Sequence, residues 1–102
     1  METKQKKYAF IFMGQNYIPQ KHTAEFDTGI KTCIYTVRDA QEAHEKVLEL
    51  KNNGFGAIEL CGAFGRDFAL ELIALTKGEI AIGYCVNEPE QDELFRRFFH
   101  GW

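Results

Sequence analysis

The 102-residue sequence predicts an α/β fold. It reads as a single small domain over residues 1–102, with a four-stranded, mainly parallel sheet flanked by three to four helices in flavodoxin-like or half-barrel-like βα order. Three observations predict this. Strand-like and helix-like spacings alternate along the chain, as parallel strands joined by crossover helices require. Two of the strand-like runs, Tyr8 to Met13 and Ile80 to Val86, are apolar on both alternating faces, as in strands covered on both sides. The composition, 45% hydrophobic and 26% charged, is that of a folded chain.

The first strand places Tyr8, Phe10 and Phe12 on one face and Ala9, Ile11 and Met13 on the other, and Gly14-Gln15-Asn16 ends it. Between residues 17 and 29, Pro19 can open a short helix that Gly29 closes; a structured loop is the alternative. Ile30 to Val37 is β-branched and half polar, the pattern of an edge strand on which Lys31 discourages further pairing. Asp39 and Glu42 have the spacing of a capping box, and Ala40, Ala43, Val47 and Leu50 keep helical spacing up to a stop at Gly54. Ala57 to Cys61 is the third strand. Asp67 to Lys77 is the second helix, with Phe68, Ala69, Leu72, Ile73 and Leu75 on one face and Gly78 after it. Ile80 to Val86 is the fourth strand. Asn87, Pro89 and Glu90 then open a last helix, on which Leu94, Phe95, Phe98, Phe99 and Trp102 form one wide apolar face. Part of that face is expected to cover the sheet. The expected order puts the first and third strands side by side near the centre, the second at an edge and the fourth beside the third.

The net charge of −3 lacks the basic footprint of a nucleic-acid binder. The one dense basic group, Lys4, Lys6 and Lys7, reads as a solvated leader. No run approaches the roughly 18 apolar residues of a membrane helix, and Tyr8 to Met13 is too short for a secretion signal. The expectation is a cytoplasmic protein without nucleic-acid or membrane partners. Three cysteines, Cys33, Cys61 and Cys85, all in strand-like runs, suit reduced thiols.

Ligands of open parallel sheets gather beyond the carboxyl ends of the strands. There the sequence brings Gly14 and Asn16, the turn Gly62, Ala63, Phe64 and Gly65, and Tyr84. The turn feeds the second helix, whose free amides favour an anion. Glu59 sits in a run fit for a buried strand, so it must be paired or have a raised pKa, and a raised carboxyl suits general acid-base work. Cys61, just before a helix, is a candidate nucleophile, with His22 in the loop after the first strand as its base. His44, on the first helix, reads as a surface residue. Cys61, Cys85 and His22 include no close-spaced ligand pair, so no metal site is read, and no cofactor is expected.

The blocks Tyr8 to Gly14 (YAFIFMG), Pro19 to His22, Ala57 to Gly65 (AIELCGAFG), Ala81 to Tyr84 (AIGY) and Glu90 to Phe95 (EQDELF) resemble a family of short uncharacterised bacterial proteins built on a domain of unknown function. The resemblance spans nearly the whole chain. It implies a stand-alone bacterial protein and carries no activity. The central block also looks like the glutamate-bearing strand ends of (βα)8-barrel enzymes, over fewer than ten residues. Together these readings give a protein binding a small anionic or polar metabolite at the strand ends. The alternatives are a lyase or isomerase using Glu59 as acid or base, or an oligomeric interaction protein without catalysis. The aromatic C-terminal helix motivates a homo-oligomer.

Overall fold

A computed structural model describes residues 5–100. Lys4 of the basic leader and Trp102 of the C-terminal apolar face lie outside the described residues. The elements are β1 (Lys6–Met13), β2 (Ala24–Asp27), β3 (Ile30–Val37), α1 (Ala40–Asn52), β4 (Ala57–Leu60), α2 (Gly65–Leu75), β5 (Ala81–Tyr84), a 3-10 turn (Pro89–Gln91) and α3 (Asp92–His100). They build a five-stranded sheet in the order β2-β3-β1-β4-β5, in which β2 runs antiparallel to β3 and the other neighbours are parallel. β1 is central, with β4 beside it and β5 beside β4, as the sequence leads one to expect. A half-barrel would order its strands sequentially; this sheet reverses direction at β1.

Three expectations are corrected. The sheet has five strands, not four, because residues 24–27 form a strand where a short helix or loop was expected. The hairpin turn explains it. Gly29 has φ +98° and its amide donates to Asp27 Oδ1 at 3.2 Å, so this glycine turns a hairpin instead of stopping a helix. Ile30 to Val37 is therefore an inner strand, shielded by β2, and Lys31 pairs with Glu25 across that hairpin at 3.3 Å.

The third correction concerns coverage. The core gathers Ala9, Ile11, Cys33, Val37, Ile58 and Leu60 from one face of the sheet with Ala43, Val47 and Leu50 of α1 and Ala69 and Leu72 of α2. Both helices thus lie on the same face. The chain steps from β3 past β1 to β4, then on to β5, in one direction; two crossovers of the same hand stepping the same way put their helices on one side. A helix between β1 and β3 would step the other way and cover the second face. That connection instead holds a loop and the hairpin strand β2, so no helix among the described residues covers the face carrying Tyr8, Phe10 and Phe12, and only the loop meets it, at Phe12 and Thr36.

Local chemistry fits these elements. Asp39 accepts the Glu42 amide at 2.9 Å, while Glu42 reaches back to the Arg38 amide at 2.7 Å, a capping box shifted by one residue. Gly54, at φ +83°, ends the helix region. His44 of α1 meets Glu71 of α2 at 2.5 Å and lies against the Phe68 ring. The last helix was expected to cover part of the sheet, and α3 does not. It packs against its own 3-10 turn, and Leu94 (53% exposed), Phe95 (47%), Phe98 (65%) and Phe99 (65%) face outward. Asn87 is no acceptor cap either: its amide donates to Asp92 Oδ1 at 2.6 Å.

Candidate functional site

The strand ends of β1, β4 and β5 converge where the sheet reverses direction, the place where open α/β sheets offer a crevice. The Met13 amide donates to Cys61 Sγ at 3.3 Å, and the Cys61 amide to the Ile11 carbonyl at 3.1 Å, so the end of β4 is laced to β1. The Cys85 amide donates to the Leu60 carbonyl at 2.9 Å, which closes β5 onto the same end. Gly62 faces this junction: a Cβ there would stand 3.8 Å from the Cys85 carbonyl oxygen. Gly14 turns the chain off β1, its amide held by the Val37 carbonyl, and a Cβ on it would press 3.0 Å from the Tyr17 ring.

The turn Cys61 to Gly65 then starts α2. The Phe64 amide donates to the Cys61 carbonyl at 3.1 Å, and Gly65 adopts φ +74°, which lets the chain swing from strand to helix within these few residues. Phe64 occupies the cap position and gives no side-chain capping bond. Gly62 and Ala63 are exposed, whereas Phe64 is buried and stacks on Phe68 at 5.4 Å, so its ring anchors the turn and does not line the crevice. The first-turn amides of α2 are therefore left without a side-chain acceptor, unlike those of α1, which Asp39 serves.

Arg66 follows Gly65 and is the residue that sequence reasoning missed. A cation in the first turn of a helix stands at the positive end of the dipole, where it is disfavoured, and Asp67, the acidic residue of the same turn, forms no ion pair with it among the described residues. Arg66 is exposed and joins no ion pair or side-chain hydrogen bond among the described residues. The sequence signal was available: an arginine at the second helical position, next to an uncapped glycine turn.

The remaining expected residues divide between two faces and two sides. Tyr84 pairs in register with Leu60 and packs on the core beneath the helices. Glu59 pairs in register with Phe10 and Gly83 and so stands on the open face. It is half-buried, not enclosed as the sequence implied. Its carboxylate lies over Gly83, where an added Cβ would be 3.3 Å from Oε1. Among the described residues it accepts no hydrogen bond and joins no ion pair. Burial, and then the charges of Glu59 and Cys85, push the Tyr8 phenol above its ordinary pKa.

His22 is engaged elsewhere. Its Nδ1 accepts the Ile18 amide at 2.8 Å, its carbonyl accepts Thr36 Oγ1 at 2.8 Å, and its ring meets Tyr17 edge-on at 6.0 Å. These bonds fasten the loop of residues 14–23 to β3. Among the described residues none of these contacts is with Glu59 or Cys61. Asn16 is exposed on the same loop. The structure thus brings Gly14, Cys61, Gly62 and the α2 turn together, while His22 bonds within its own loop and to β3 and Tyr84 packs on the core.

Two shallow depressions lie away from this junction. One of about 520 Å³ is at the opposite end of the sheet, between Lys6, Tyr8, Thr32 and Gly56; one of about 170 Å³ lies beside α1, between Pro19, Thr36 and Lys46. Among the described residues no group of three or more His, Cys, Asp or Glu is placed to hold a metal ion, and no helix is long and apolar enough to cross a membrane.

No curated protein and no solved structure matches the chain. Residues 6–100 match a family of unknown function, DUF6506, and that span includes every described element. The chain belongs to this family of unknown function.

Proposed function

We propose that the protein binds a small anionic metabolite at the carboxyl ends of β1, β4 and β5, with the anionic group on the first-turn amides of α2. One observation carries this reading: Arg66, unpaired among the described residues, stands beside a helix N-terminus at which none of them makes a side-chain cap. An anion there satisfies backbone donors, meets the helix dipole and removes the mismatch between that dipole and the arginine. Exposed Gly62 and Ala63 leave the backbone open to close approach. Gly14 and Asn16 border the site from the β1 side.

Inorganic phosphate is a sufficient probe. Titrated into isotopically labelled protein, it is expected to shift the amides of Gly62, Gly65 and Arg66 in a saturable way, and Arg66→Gln is expected to weaken binding about tenfold, the loss of one charge-assisted hydrogen bond. Equal binding by wild type, Arg66→Gln and Gly62→Val would place the ligand elsewhere. Native mass spectrometry of freshly purified protein tests whether a metabolite is retained and gives its mass.

A second reading, a lyase or isomerase, draws on the Glu59 carboxylate, which lacks a protein partner among the described residues and so is free to take a proton from a ligand. It requires turnover of the retained metabolite that Glu59→Gln abolishes. Unchanged turnover in that variant would remove it.

A further inference from the structure

The open face of the sheet and the outward face of α3 complement one another. In register across the sheet, the open face presents Phe26, Thr32, Tyr8, Ala57 and Ala81 in one row, then Ala24, Ile34, Phe10, Glu59 and Gly83 in the next. Large side chains therefore stand on β1, and small ones, Ala57 of β4 and Ala81 of β5, lie to one side of it, with the Glu59 carboxylate lying over Gly83 in the next row. The result is a trough along β4 and β5 with an aromatic wall. Strands in parallel pairs are normally covered on both faces, and here, among the described residues, no helix covers the second face, which the loop of residues 14–23 meets only at its Phe12 and Thr36 end.

α3 has the opposite shape. Leu94, Phe95 and Phe99 project from one side of the helix and are about half or more exposed, with the Phe95 and Phe99 rings stacked at 6.4 Å. The helix is joined to β5 by exposed residues 85–88 and stands clear of its own sheet, which draws the molecule out to 54 Å against 29 and 26 Å in the other directions. A ridge of bulky residues and a trough floored by small ones occur on the same chain, and that chain does not bring them together.

We infer that the trough receives α3 from a second copy of the chain, and that the exchange is reciprocal. Charge agrees with this occupant. The trough holds the Glu59 carboxylate, unpaired among the described residues, and α3 carries Arg97, whose ion pair with Glu93 is long at 3.9 Å and shares that carboxylate with Arg96. Area agrees as well. Covering the exposed parts of the α3 aromatic face and an equal area of sheet, twice by symmetry, removes on the order of 1,500 Å² from water, the size of a stable protein interface. The partner's helix also roofs Glu59, so the carboxylate becomes enclosed only in the pair.

Complementation between two variants tests the exchange. Phe95→Glu with Phe99→Glu spoils the ridge and leaves the trough; Ala81→Arg fills the trough and leaves the ridge. Ala81 is an exposed edge-strand position and α3 lies outside the core, so circular dichroism and thermal melting are expected to show both variants folded. By sedimentation and light scattering at about 100 µM, wild type is expected to be a dimer and each variant a monomer. Mixed one to one, the two variants are expected to yield a heterodimer with a single intact exchange, at a dissociation constant well above that of wild type.

A wild type that stays monomeric, with α3 either free or folded onto its own sheet, overturns the inference. So does a dimer that survives Ala81→Arg, which would mean helices pairing with helices. So does recovery of a different protein, and no self-association, from the native complex. The phosphate titration of the strand ends is independent of these outcomes.

Discussion

Three side chains show how much one residue decides. Asp39 closes the N-terminus of α1 through a 2.9 Å bond to the Glu42 amide; Asp39→Ala is expected to lower stability by about 1 kcal/mol in urea unfolding, with an unchanged denaturant slope. Glu42 is held below the ordinary carboxylate pKa, chiefly by its side-chain bonds with Arg38 and then by the Arg38 amide. Its folded pKa lies below its unfolded one. The stability it contributes is therefore present above the ordinary value of 4.5 and is lost as pH falls through the lowered folded value. Unfolding midpoints are expected to decline more steeply below that pH in wild type than in Arg38→Gln. Arg66 is the third. Among the described residues it joins no ion pair or side-chain hydrogen bond, and hydrophobic spacing, the main guide to secondary structure, does not report such a side chain. Glu59 was legible as unusual for the same reason it was misplaced. A carboxylate in an apolar run stands out, but period two gives only its face and says nothing of whether that face is covered.

At the scale of elements, α1 was the most legible because caps, periodicity and a terminal glycine agreed, and all of them persist in the structure. The loop and strand of residues 17–29 were not. Ala24-Glu25-Phe26-Asp27 is too short and too polar to announce a strand, and it exists because β3 offers it an edge. Gly29 marks both a helix stop and a hairpin turn, and only the neighbouring strand selects between them. The two-helix layer over one face carries the core, and there Leu72→Ala is expected to cost about 2–5 kcal/mol by calorimetry or urea unfolding. Leu70→Ala, on the exposed side of the same helix, is expected to cost less than about 1 kcal/mol. A similar loss at both positions would mean that α2 is covered on its outer side too.

For the molecule as a whole, the strand order around β1 followed from alternation of strands and helices, while the one-sided layering did not. Two-sided apolar strands imply two covers, and the sequence does not state whether the second comes from the same chain. α3 and the open face pose that question together. If the exchange of helices operates, hydrogen exchange at the amides of residues 93–100 is expected to slow as protein concentration rises through the dimer dissociation constant, while the amides of β1 and β4 stay protected throughout. Protection of α3 that does not vary with concentration would show instead that the helix settles within its own chain.

The central position of β1 reaches back to the order in which the chain is made. Of the described elements β1 is made before the others, yet Tyr8 pairs with Thr32 on one side and with Ala57 on the other. Its neighbours arrive later, and the contacts that bury it span much of the sequence, which makes closure slow compared with local helix formation. During synthesis the most apolar strand therefore waits without partners, and nascent chains halted before Leu60 should be cut by protease within β1, while those extending beyond Tyr84 should resist.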